Sequence, residues 1–225
     1  MTRSSNTAPD LHHTTRDAIL QSALAIAAFD GWTTDSFAAA VKESGVDAGL
    51  AHLSCPREEL DLIIHWSNQM DAQAEKAILE TDIETMKVRD RVTLCVIARL
   101  EAIGPHEEAA RRARARLLLP DAVTESAGLV WNSCDTVWRA IGDVSTDFNF
   151  YSKRAILSGV YGSTLSVWLG ETDPDKPRAR EFLANRIENV MQFEKAKWQF
   201  RKATANLPDL GSILGKMRYG FGPRV

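Results

Sequence analysis

The chain has 225 residues, 44% of them hydrophobic and 25% charged, with a net charge of −3. That length suits one domain with a sizeable core, and the composition is close enough to the globular average to exclude wholesale disorder. The mild acidity argues against a nucleic-acid partner, which needs clustered Lys and Arg for its phosphates.

Residues 1–13 are polar, carry no apolar core of a secretory signal, and are expected to form a disordered tail. From Thr14 onward nearly every window has helical period, and no run of β-branched residues alternates, so an all-α fold is predicted. Thr14 or Thr15 caps a helix that Gly31 ends; a short helix runs from Thr34 to Ser44 and stops at Gly45. A brief turn covers Asp47 to Leu53. Pro56 fits the first position of a longer helix with the stripe Leu60, Ile63, Ile64, Ser67, Met70, Ala74 and Ile78. The next helix, from Val88 to Ile103, carries Val88, Val92, Cys95, Val96 and Ile103 on one face. Gly104-Pro105 then breaks the chain before HEEAARRARARLLLP, where Arg111, Arg112, Arg114 and Arg116 follow an acidic start. Such an order is first of all that of a solvated helix face; the sharper alternative is a site for anionic headgroups or an acidic partner.

Between Asp121 and Ile141 the residues Val123, Ala127, Val130, Trp131, Cys134, Val137, Trp138 and Ile141 recur at spacings of three and four. Core packing explains such a stripe, and two tryptophans on it could also wall a ligand pocket. The helix from Asp147 to about Leu169 opposes a small face (Ala155, Gly159, Gly162, Ser166) to a large one (Phe150, Leu157, Tyr161, Thr164, Trp168). It is therefore expected to be covered on both sides. Its head crowds Phe150, Tyr151, Lys153 and Arg154 behind the cap candidates Ser145 and Thr146, with Asp147 in the first turn. This is either a packed terminus with snorkelling cations or a partner surface. A last long helix from Arg178 to about Ala205 turns Leu183, Ile187, Val190, Met191 and Trp198 inward. Beyond Pro208, an amphipathic segment folds on lipid or packs back onto the bundle. The longest uncharged run, Ala155 to Gly170, would extend about 24 Å as a helix, short of a hydrocarbon core of about 30 Å. No spanning segment is expected.

Reactive constellations are not legible. Cys55, Cys95 and Cys134 are far apart, odd in number and lack metal-ligand spacing, which reads as small reduced hydrophobes in a cytosol-like compartment. His12 and His13 lie in the tail, and His52, His65 and His106 are isolated. Neither catalytic residues, nor a metal, nor a cofactor is expected, and an enzyme is not predicted.

The stretch GWTTDSFAAAVKESGVDAGLAHLSCPREEL resembles the helix-turn-helix of TetR-type repressors, which implies a transcription factor. Its recognition helix, DAGLAHLS, has neither Lys nor Arg. From Thr33 to Leu60, Lys42 and Arg57 face Asp35, Glu43, Asp47, Glu58 and Glu59, a net of 2 − 5 = −3. Such a surface repels phosphates, so the likeness extends to the fold and not to DNA binding.

In the second half, WRAIGDVSTDFNFYSKRAILSGVYGSTLSVWL followed by REFLANRIENVMQFEKAK is similar to the coenzyme Q biosynthesis protein nine family. The likeness runs from the GWT near Trp32 to the carboxyl end and is strongest from Trp138 to Lys195. It implies a TetR-like helical fold without DNA binding, a homodimer, and a lipid-binding accessory role in ubiquinone biosynthesis. An isoprenoid quinone precursor would be bound and presented to a di-iron hydroxylase, at the periphery of an inner membrane on its cytoplasmic side. The implied organisation is a tail at 1–13, a helix-turn-helix-like segment at 14–56, a ligand-binding and dimerisation domain at 57–205, and a membrane-contacting segment at 206–225. By the same resemblance the docking surface falls on Asp147, Asn149, Phe150, Tyr151 and Arg154, with Phe150 where relatives often have Trp. The lipid cavity falls among Leu94, Ile97, Val130, Trp131, Cys134, Trp138, Leu157, Tyr161 and Trp168. Membrane contact falls on Leu210, Ile213, Leu214, Lys216, Met217, Arg218 and Phe221. The competing reading is a degenerate TetR-type regulator that senses an apolar ligand.

Overall fold

The computed structural model describes residues 10–205, with the side chains of residues 147, 194, 197, 198 and 200–205 outside that description. All the regular structure described is helical: α1 (Leu11–Asp30), α2 (Thr34–Ser44), α3 (Ala48–Ser54), α4 (Glu59–Leu79), α5 (Val88–Glu101), α6 (Glu107–Leu117), α7 (Val123–Ala140), α8 (Asp147–Gly170) and α9 (Pro177–Ala205). The chain divides into two compact units, Met1–Ala184 and Asn185–Val225. No helix of the described residues is long and apolar enough to cross a membrane.

Local chemistry sets the helix ends. The Asp10 carboxylate accepts the His12 N–H at 3.1 Å, so α1 starts at Leu11, and residues 11–13 are helix rather than the tail expected for them. Thr33 and Ser36 satisfy each other's backbone N–H groups in a capping box at the head of α2. Gly45, with φ of 70°, ends α2 in the left-handed region where a side chain would be strained. Asp47 caps α3 by accepting the Leu50 N–H at 3.0 Å. Pro56 does not open α4. The chain turns through residues 56–58, Glu58 adopts φ of 51°, and the helix begins at Glu59. Proline's fixed negative φ cannot provide that turn, so the residue two places later does.

The core forms where the apolar stripes meet. On α4 Leu60, Ile63, Ser67, Met70, Ala74 and Ile78 are buried as the period predicts, while Ile64 is half-buried. Full burial of each large aliphatic side chain contributes on the order of 1.5–3 kcal/mol. The helix-turn-helix segment packs through α1 on α4 and α6. Trp32, just before α2, stacks on Trp66 at 6.0 Å and donates its indole N–H to the Ala109 carbonyl at 2.9 Å. Val88 and Val123, each the first residue of its helix, are exposed, as is Ala127. In α7 the inward positions belong to Leu129, Ser133, Cys134 and Val137, with Val130, Trp131, Trp138 and Ile141 half-buried. On α8 the large face is buried at Leu157, Tyr161, Thr164 and Trp168. Its small face is not covered as expected: Ala155 and Gly159 are exposed and Gly162 and Ser166 half-buried. In α9 Leu183 and Ile187 are buried, Val190 is half-buried, and Met191 is 48% exposed against the inward position expected of it. The side chain of Trp198 lies outside the described residues.

Candidate functional site

Five helices of the first unit line a half-open cavity of about 230 Å³. Its walls are apolar: Ile63, Trp66 and Met70 from α4, Ala110, Ala113 and Leu117 from α6, Leu129 and Val130 from α7, Leu165 and Leu169 from α8, and Ile103 just after α5. These positions follow from helical period, since each lies on the stripe its helix turns to the bundle axis. An apolar cavity of about 150 Å³ is enough to hold a benzene molecule, so this one admits a substituted ring or a short length of chain.

One wall is polar. Arg99 on α5 is buried, donates from Nε to the Asp71 carboxylate, and reaches Ser67 Oγ at 3.0 Å through its second terminal nitrogen. Ser133 donates to the same Asp71 oxygen at 2.8 Å, and the Arg99 guanidinium lies 5.9 Å from the Tyr161 ring centre. Ser67, Arg99, Ser133 and Tyr161 all face the cavity. Burial works against the charge on Arg99, but Tyr161 and Asp71 more than offset it and raise its pKa above the ordinary value. Burial likewise raises the Tyr161 phenol, so both groups keep their usual protonation states. Arg99 and Asp71 answer each other inside the wall, so the cavity meets a polar surface whose charges are already partnered.

The arginine cluster of α6 is mostly committed to partners. Arg111 donates to the Leu169 carbonyl at 2.7 Å and pairs with Glu108, Arg112 pairs with Glu108 at 3.3 Å, and Arg116 joins Glu59 at 3.0 Å and Asp121 at 2.8 Å. Arg114 stands at the cavity lining without an ion pair among the described residues.

Of the nine predicted cavity residues, Val130 and Tyr161 line this cavity, and the other seven stand outside its lining. Leu94 is half-buried and Ile97 and Leu157 are buried. Cys134 accepts from the Ser158 hydroxyl at 3.5 Å, and burial pushes its thiol up to about 11. Trp131 lies 6.2 Å from Tyr151, Trp138 sits under the Lys153 ammonium at 5.1 Å, and Trp168 packs against Lys176 and Arg180. The polar wall of Ser67, Arg99 and Ser133 is absent from the sequence expectation. Its signal was available: Arg99 shares the face of Val92, Cys95, Val96 and Ile103, and a charge on an apolar stripe needs a buried partner.

The head of α8 divides its cluster between two roles. Arg154 is only 2% exposed; it pairs with Asp135 at 2.6 Å and Asp143 at 3.6 Å and covers the Phe150 ring at 3.4 Å. It anchors α8 to α7 and the preceding loop, so its charge is turned inward and not offered on the surface. Lys153 joins Asp143 at 2.6 Å. Burial would raise the Asp143 carboxyl, but Lys153 and Ser145 outweigh it and hold the group below its ordinary range. Thr146 occupies the cap position without a side-chain bond, and Ser145 donates to Asp143 instead. Outward stand Asn149, Tyr151 at 62% exposure, and two residues the sequence reading missed, Phe148 at 76% and Val144 at 91%. Phe150 is half-buried edge-on to Tyr151. The side chain of Asp147 lies outside the described residues, as do Leu210, Ile213, Leu214, Lys216, Met217, Arg218 and Phe221.

Residues 123–194, which hold α7, α8 and the larger part of α9, match the family model described as COQ9. The chain is 31% identical over 180 residues to the mitochondrial ubiquinone biosynthesis protein COQ9 of Rattus norvegicus, covering 77% of this chain and 57% of the relative. It is 30% identical to the Bos taurus protein of the same description, covering 77% of this chain and 56% of that one. The chain thus spans a little over half the length of the curated relatives it matches. Among solved structures, the crystal structure of a TetR transcriptional regulator from Nitrosomonas europaea superposes with a TM-score of 0.66 at 18% identity, covering 80% of this chain and 99% of that one. That likeness shows the fold alone: an all-α, TetR-like bundle.

Proposed function

We propose, from the match of residues 123–194 to the COQ9 family model, that the chain is a lipid-binding accessory protein of ubiquinone biosynthesis rather than an enzyme. It binds an isoprenoid quinone precursor in the α4–α8 cavity and presents it to a biosynthetic hydroxylase. The observation that carries this reading is the cavity itself, apolar on most sides with one polar wall, the form that small-molecule sites take. Burial of about 0.8 kcal/mol per methylene supplies affinity without any reactive group. A long tail exceeds 230 Å³, so its remainder leaves beside Leu117 and Leu118, the latter largely exposed. The outward patch of Val144, Phe148 and Tyr151 offers the aromatic anchors of a docking surface, and residues 208–221 offer a peripheral membrane contact. An open small face on α8 suits a homodimer.

Lipid extraction and mass spectrometry of the purified chain test this. A prenylated ring compound should co-purify, and Ala113→Phe, which fills the cavity from α6, should lose it while keeping its far-ultraviolet circular dichroism. Lipid-free protein, or unchanged lipid content in the filled variant, would sink the carrier reading. The TetR-like fold keeps a regulator in view as the second reading. Against it, α3 has no Lys or Arg, and Arg57 is engaged by Asp61 and Glu125 at 2.9 and 2.8 Å. Salt-sensitive, nanomolar binding to one DNA site in a gel shift would promote it.

A further inference from the structure

We propose that His13, Asp17 and His65 form a binding site for a zinc-class divalent cation that clamps α1 to α4. The sequence shows no metal constellation, because the site is assembled from a one-turn pair on α1 and a residue on α4. His13 and Asp17 lie four apart and share a helix face, and the crossing of the two helices brings His65 against them. His13 Nδ1 lies 3.2 Å from Asp17 Oδ2, and His65 Nε2 lies 2.7 Å from Asp17 Oδ1. All three ligand atoms fall within 4.8 Å of one another. Bonds of about 2.0–2.1 Å in a tetrahedron separate ligand atoms by about 3.3–3.4 Å; the His13–Asp17 pair already stands near that spacing, and the His65–Asp17 pair, on the other carboxylate oxygen, opens by roughly 0.6 Å to reach it.

The rings agree independently. The imidazole centres of His13 and His65 are 4.7 Å apart at an interplanar angle of 77°. Two imidazoles bound to one tetrahedral zinc place their centres about 5 Å apart, each about 3 Å from the metal. Gln69, one turn beyond His65, holds its amide 2.5 Å from Asp17 Oδ1 and 3.2 Å from the His65 Nε2 atom. With the amide turned, its carbonyl takes the fourth position; otherwise a water does. Two imidazoles and one carboxylate suit zinc, whereas calcium and magnesium ask for oxygen alone. The nearest cation on α1, Arg16, is drawn off by the Ser54 carbonyl at 2.7 Å, which leaves the site to the metal's own charge. His65 is buried and fixes the inner ligand, while the exposed His13 closes the site from solvent. On α4, His65 and Gln69 lie on a different face from Ile63, Trp66 and Met70, so one helix serves both the metal and the cavity.

The test uses the full chain, purified without a histidine tag, stripped with chelator and dialysed against zinc chloride, with cobalt chloride as a spectroscopic probe. One equivalent of zinc should bind with a Kd of about 10 µM or tighter, raise the thermal midpoint, and be replaced by cobalt with tetrahedral visible bands. His13→Ala, a change at an exposed side chain, should weaken binding at least about 10-fold and abolish the midpoint rise. His12→Ala should behave as the unmodified chain, because the His12 ring is held by Ser54 at 2.9 Å. Zinc binding weaker than about 10 µM would be adventitious and overturn the proposal. Unchanged zinc affinity in His13→Ala would place the metal elsewhere and overturn it equally.

Discussion

Arg99→Met puts an apolar chain where the guanidinium now bridges α4 and α5. The Asp71 carboxylate, nearly buried, would keep only the Ser133 hydroxyl, and Ser67 would lose the donor at 3.0 Å. Breaking a buried ion pair from one side costs about 3–5 kcal/mol, because a charge is left without its counterion. Asp71→Asn should cost a similar amount by stranding the arginine. In the double variant no charge remains, the new side-chain amide can still accept from Ser133, and the new thioether chain extends the apolar wall; most of the loss should be recovered. Urea denaturation followed by circular dichroism measures all four chains. With a slope of about 1–3 kcal/mol per molar, each single variant should move the midpoint by more than about 1 M. The coupling should exceed about 2 kcal/mol. A single-variant loss under about 1 kcal/mol, or additivity of the two changes within about 0.5 kcal/mol, would refute the buried-pair argument.

Gly159→Leu meets nothing within 4 Å of its added Cβ, so the fold and thermal midpoint should hold while light scattering reports a shift from dimer to monomer; an unchanged dimer places the interface elsewhere. Phe148→Ala with Tyr151→Ala, both exposed, should leave stability and lipid content intact and remove co-purification with the hydroxylase partner; retained capture would clear that patch of the role. Burial pushes the thiols of Cys55, Cys95 and Cys134 from 9.0 up to about 11. A pKa raised in the folded state means that this stability is complete below about pH 9 and is lost as pH rises toward 11, on the order of 1 kcal/mol per thiol by pH 10. Thermal midpoints at pH 8 and 10 check it, and a Cys95→Ala chain with an undiminished alkaline drop would contradict the assignment.

The helices were legible because their ends are written locally. Thr33, Ser36 and Gly45 bound α2 with groups no more than one turn away, and the α4 stripe announces its buried face by period alone. The site was legible only where a side chain's partner is implied by its own helix. Tyr161 and Val130 are inward by period and do line the cavity. Arg154 reads as a surface cation because Asp135 and Asp143, which draw it inward, lie on another helix and a loop. The seven expected residues that fall outside the lining sit on α5, α7 and α8, helices that do contribute to it, because period resolves a face but not which neighbour that face meets. His13, Asp17 and His65 could not be joined from spacing at all, since the approach of α1 to α4 is a tertiary result.

The indole of Trp32 makes a mechanical link whose ends have different duties. At one end it opens α2, and at the other its hydrogen bond terminates on Ala109, beside the Ala110 and Ala113 that line the cavity. Its ring also leans on Trp66, a wall of the same cavity. A guest that pushes α6 or Trp66 outward must therefore either stretch that bond or drag the head of α2 along. Occupancy of the cavity is thereby tied, through one indole, to the head of α2.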